Sequence, residues 1–134
     1  MTEGYELTTR EIRVSVRSYF LADQSRPDEH HFVWAYRVQI ENLGHEAVQL
    51  LRRTWEITDA HGRTQQVHGE GVVGEQPILE PGESFDYTSG TPLETPSGFM
   101  VGMYHMIVVA TGEPFDVAIP AFSLDSPYQE SRLH

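Results

Sequence analysis

The sequence has no cysteine and no lysine. Without cysteine there is no disulfide framework, thiolate zinc site or cysteine nucleophile. Without lysine there is no Walker lysine and no Schiff-base lysine; all nine cations are arginine. No uninterrupted apolar run approaches transmembrane length, so membrane insertion is not expected. Residues 1–6 hold neither a basic region nor an apolar run, which argues against a signal peptide. The expected compartment is the cytoplasm, and the missing cysteine fits a reducing one. A net charge of −11 argues against nucleic-acid binding and against an anionic membrane surface, since both need cations to meet phosphates.

Helical periodicity is also missing: no ten-residue stretch carries a 3.6-residue apolar repeat. What is present is period two. Ile12, Val14 and Val16 alternate with Arg13, Ser15 and Arg17 over residues 12–20. Phe32, Trp34, Tyr36, Val38 and Ile40 share one strand face, whereas a helix would scatter them. Further strands are expected over 48–58, 63–67, 85–88, 99–110 and 115–119. Asp59-Ala60-His61-Gly62 reads as a hairpin turn with Gly62 left-handed, and Pro81-Gly82 as another turn. Residues 90–98 read as one loop. The apolar run 99–110 alternates weakly and is expected in a central, doubly buried strand, with Phe99 and Val101 facing inward beside Val117 and Ile119.

The 39% hydrophobic content suits one folded domain in 134 residues. Short strands at regular spacing predict an all-β sandwich of about seven or more strands. The domain is expected over residues 1–126, with a flexible C-terminal tail over 127–134.

The densest glycine stretch is Gly69-Glu70-Gly71-Val72-Val73-Gly74-Glu75-Gln76-Pro77. Gly69, Gly71 and Gly74 match G-x-G-x-x-G, the dinucleotide fingerprint. That fingerprint must open a helix that receives the pyrophosphate. Pro77 and Pro81 interrupt any such helix. The glycines therefore belong among strands and turns. Three glycines in six residues exceed what a plain hairpin connection needs, so Gly69, Glu70, Gly71, Gly74, Glu75, Gln76 and Pro77 form the candidate binding loop. A backbone cradle for phosphate is the second reading, with Arg52, Arg53 and Arg63 as candidate anion-binding cations. The local glutamates oppose it, and structural pairing of those arginines with the glutamates competes with it.

The histidines, at 30, 31, 45, 61, 68, 105 and 134, form no ligand motif, so no metal site and no cofactor are expected. Ser84, Ser89 and Ser97 sit in turn contexts outside any nucleophile elbow. No spacing selects two of the carboxylates Glu70, Glu75, Glu80 and Glu83 as an acid/base pair. No catalytic residue is expected.

The nine residues 69–77 resemble the ApaG family. Several other segments carry the resemblance: Leu51-Arg52-Arg53 with Trp55 and Thr58-Asp59, residues 79–84, Tyr87-Thr88-Ser89-Gly90, Thr95-Pro96-Ser97-Gly98 and residues 115–124. Thr91 departs from it, because relatives often carry cysteine there. The resemblance implies a fibronectin type III-like or immunoglobulin-like sandwich and no established catalytic residues. It implies a link to cobalt and magnesium efflux or tolerance, and a gene often beside a diadenosine tetraphosphate hydrolase. Similar domains attached to eukaryotic F-box and polymerase-interacting proteins imply protein binding. The first expectation is a non-enzymatic interaction module with an unidentified protein partner. The alternative is a nucleotide- or pyrophosphate-binding protein that uses the glycine loop, with or without a divalent cation.

Overall fold

A computed structural model describes residues 4–129. Nine strands, β1(Tyr5–Thr9), β2(Ile12–Phe20), β3(Phe32–Asn42), β4(Val48–Asp59), β5(Thr64–Glu70), β6(Ile78–Leu79), β7(Ser84–Leu93), β8(Gly98–Val108) and β9(Pro114–Leu124), make two antiparallel sheets. One sheet has the order β1-β2-β3-β7; the other has β5-β4-β8-β9, with β6 also paired to β4. The loop after β2 holds two short 3₁₀ turns, Ala22–Gln24 and Pro27–Glu29. The fold is the expected β-sandwich.

The alternating residues of β2 and β3 explain the core. Val14, Val16, Trp34, Val38 and Ile40 are buried, while their odd-even neighbours face solvent or lie half-buried. Trp34 tucks its indole N–H under the carbonyl of Asp125 at 2.8 Å, which satisfies the one polar atom that its burial would strand.

Several sequence expectations need correction. Phe99 and Val101 do not face inward: Phe99 is exposed and Val101 half-buried, while Met100, Tyr104, Met106 and Val108 fill the core. The strand is indeed central, between β4 and β9. Its weak alternation comes from apolar residues on an outer face open to solvent; where the β8–β9 register shifts past Met100, the extra residue lies in β9, between Ile119 and Phe122. A bulge in β4 between Leu50 and Arg52 likewise lets Leu50 and Trp55 both turn inward despite opposite parity. Of the expected loop 90–98, residues 90–93 belong to β7, which pairs along its whole length with β3, and Gly98 opens β8. β1 and β6 were not foreseen; β1 is mostly exposed and β6 has only two residues, too little pattern for either to announce itself.

In the tail region Ser126 donates its hydroxyl to the Pro96 carbonyl at 2.6 Å, and the Tyr128 ring lies 5.9 Å from Phe20 and 6.1 Å from Phe32. Residues 130–134, the rest of the expected tail, lie outside the described residues.

Candidate functional site

The glycine stretch is an interruption of an edge strand. β5 runs antiparallel to β4 as far as Arg52↔Glu70, and β6 rejoins β4 at Gln49↔Ile78. Between them the ladder continues in two bonds: Gly71 N–H to the Leu51 carbonyl at 2.8 Å, and Leu50 N–H to the Pro77 carbonyl at 3.1 Å. The remaining residues fold out as a miniature hairpin. Val72 and Glu75 exchange both backbone bonds, at 2.8 and 2.9 Å. Val73 at φ 43° and Gly74 at φ 83° form its two-residue tip, the arrangement of a type I′ turn. Val72 plugs into the core, fully buried, while Val73 is 53% exposed.

The residue types follow from this geometry. Gly71 has φ 61°, and a Cβ there would lie 2.2 Å from the Glu75 carbonyl oxygen. Gly69 and Glu70 are strand residues rather than loop, which corrects the expected boundary of the candidate site. Gly69 leaves room for Arg53, whose guanidinium lies across it; a Cβ would sit 2.7 Å from Nη1. Arg53 Nη1 donates to the carbonyls of Glu70 at 3.1 Å and Gly71 at 2.6 Å. The Gln76 side-chain amide donates to the Leu51 carbonyl at 2.9 Å. The hairpin is thus clamped at its base, and its tip projects from the sheet edge.

The three candidate anion-binding arginines do not converge. Arg53 is spent on the two carbonyls. Arg63 caps the far hairpin, donating Nε–H to the Asp59 carboxylate at 2.9 Å. Burial works to raise the Asp59 pKa, but backbone N–H groups of Arg63 and His61, with the Arg63 guanidinium, outweigh it and hold the carboxyl below its ordinary value. Arg52 points to the outer face of the sheet, and among the described residues it makes no ion pair.

Two groupings escaped the sequence reading. Tyr36, Tyr87 and Tyr104 meet between the sheets, with the Tyr87 and Tyr104 hydroxyls hydrogen-bonded. Burial pushes all three phenols up from their ordinary pKa; the Arg53 charge opposes the shift in each. On the outer face, Thr54 of β4, His68 of β5, His105 of β8 and Asp116 of β9 share one hydrogen-bonded chain: Thr54 Oγ1 lies 2.8 Å from His105 Nε2 and 3.3 Å from His68 Nδ1, and His105 Nδ1 lies 2.8 Å from Asp116 Oδ1. Only the strand register brings these residues together.

The sequence profile of the ApaG domain matches residues 22–108, well over half of the chain. The chain belongs to the ApaG family. Protein ApaG of Rhodospirillum centenum is 66% identical over 128 residues, spanning 96% of this chain and 98% of that one. Protein ApaG of Paramagnetospirillum magneticum is 62% identical over 130 residues, 97% of this chain and 99% of that one. The crystal structure of an ApaA protein from Bordetella pertussis matches with TM-score 0.85 at 45% identity, covering 92% of this chain and 99% of that one. The ApaG resemblance carried by residues 69–77 and their companions is therefore borne out, and so is the sandwich.

Proposed function

We propose that this ApaG domain is a non-enzymatic protein-interaction module that docks through the tip of the miniature hairpin. The observation that carries this reading is Val73. A β-branched residue at positive φ is a backbone outlier, and strain of this kind clusters at functional positions. Asparagine would relieve the strain. Valine instead presents an exposed apolar side chain at the end of a hydrogen-bonded hairpin, between the exposed carboxylates Glu70 and Glu75 in the chain. The fitting partner has a small apolar recess with basic groups around it, which the net charge of −11 also favours.

The test is Val73→Asn. Its thermal midpoint should rise, because the turn gains a residue suited to positive φ, and a stabilisation of about 1 kcal/mol is the expected order. Its capture of partners from lysate, measured by cross-linking and mass spectrometry beside wild type, should fall. A capture profile identical to wild type would reject the tip as the docking point.

The cobalt and magnesium link is read here as indirect, acting through a partner. Among the described residues no three His, Asp or Glu side chains converge on one point. Calorimetry with cobalt, zinc and magnesium should give affinities weaker than micromolar. A tight site that disappears in His30→Ala or His31→Ala would reverse this.

A further inference from the structure

The outer face of the β5-β4-β8-β9 sheet carries chemistry that the hairpin reading does not use. We propose that Thr54 is an acyl-accepting nucleophile, with His105 as its general base and Asp116 as the residue that orients the base. Suitable acyl donors are small, neutral, activated esters.

The register builds the arrangement. Thr54 lies directly opposite His68 on β5, and His105 lies directly opposite Asp116 on β9. Thr54 and His105 are diagonal across β4 and β8, since Thr54 faces Met103, two residues before His105. Diagonal neighbours are within reach of a side chain as long as histidine.

The protons follow from the acceptors. A carboxylate only accepts, so with Asp116 at 2.8 Å the tautomer that suits the pair carries its hydrogen on His105 Nδ1. Nε2 is then an open acceptor, and the Thr54 hydroxyl donates to it at 2.8 Å. His68 Nδ1, at 3.3 Å, donates to the same oxygen and fixes its rotamer. A hydroxyl aimed at a base that a third group orients is the arrangement of an activated nucleophile.

Thr54 and His105 line a shallow depression of about 360 Å³ together with Arg52, His68 and Glu70. That volume admits a small ester. Arg52 sits beside His105 by register and offers a cation to a developing oxyanion. Glu70 faces Arg52 from β5 and disfavours a strongly anionic donor.

In the forward step Thr54 Oγ1 bonds to the carbonyl carbon as its proton passes to His105 Nε2. The tetrahedral oxyanion collapses, the bond to the leaving oxygen breaks, and that oxygen takes the proton from Nε2. Thr54 is left as an ester.

The experiment is reaction of the full chain with p-nitrophenyl acetate, following nitrophenolate release and locating the acetyl group by peptide mapping. The expected label is on Thr54, retained in Thr54→Ser and absent in Thr54→Val. His105→Gln should slow labelling by on the order of 10²–10⁴, the range of a lost general base. Asp116→Glu should keep more of the rate than Asp116→Asn, which a purely structural contact would not require. Melting temperatures identify any variant that fails to fold, in which case Thr54→Ser and His105→Gln decide. Acetylation found on a histidine or tyrosine instead, or His105→Gln labelling at the wild-type rate, overturns the proposal. The hairpin reading is untouched by either result, because Val73 lies outside this face.

Discussion

Gly71→Val should cost the fold about 3 kcal/mol or more, enough to leave a marginal domain partly unfolded at room temperature. Two penalties add. The left-handed backbone at φ 61° is costly for any residue with a Cβ, about 1–2 kcal/mol, and more for a branched one. The new Cβ would also stand 2.2 Å from the Glu75 carbonyl oxygen, far inside contact distance. That oxygen cannot retreat cheaply, because it accepts the Val72 N–H that closes the miniature hairpin. Gly74→Ala separates the two penalties. Gly74 has φ 83° but nothing within 4 Å of its would-be Cβ, so only the backbone cost applies. Urea unfolding of both variants should rank Gly71→Val well below Gly74→Ala. Equal midpoints would mean that the close approach at Gly71 is absorbed by movement of the turn. The glycine first suspected of gripping a ligand therefore has a structural duty, and Val73 is the position at which binding can be tested without unfolding the hairpin.

Period-two patterns located β2 and β3 closely, because each buries one face and leaves the other open or half-buried, and found the first half of β9, up to the point where its parity switches. The turn at Gly62 was legible for the same local reason: its φ of 83° is what glycine supplies there. β8 misled because apolar side chains such as Phe99 and Met103 stand on its solvent face. Bulges are invisible to a parity count, and those in β4 and β9 each reverse it.

The candidate loop was found by composition, but its mechanism was not. That Gly69 makes room for Arg53, and Gly71 for the Glu75 carbonyl, depends on what lies across the sheet. The Thr54, His105 and Asp116 grouping was less legible still. The three residues are 51 and 11 positions apart in sequence, and they meet only because three strands align in one register.

The steepest effect of solution conditions should be alkaline. The chain has neither lysine nor cysteine, so between about pH 9 and 12 tyrosine is the only side chain that titrates. Tyr36, Tyr87 and Tyr104 are buried between the sheets, and that burial favours their neutral forms. Each therefore keeps its proton in the fold at a pH where the unfolded chain has lost it. Below about pH 10 both states are protonated and the full stability is present. Above it the unfolded chain binds fewer protons than the folded one, so stability falls as pH rises. Each phenol contributes at most about 1.4 kcal/mol per pH unit, while it stays protonated in the fold and not in the unfolded chain, and the three together at most about 4. A domain of ordinary stability, about 5–15 kcal/mol, would then unfold within a few units above pH 10. Urea midpoints taken between about pH 8 and 11.5, with phenolate absorbance read in parallel, measure this directly. Ionisation of these three phenols should coincide with unfolding. Tyr104→Phe should flatten the alkaline limb by about a third, while costing some stability at neutral pH because the Tyr87 hydroxyl loses its partner. A stability that stayed level to pH 11.5, or phenolate signal from all three in a still-folded chain, would mean that water reaches the cluster and that its burial does not set the titration.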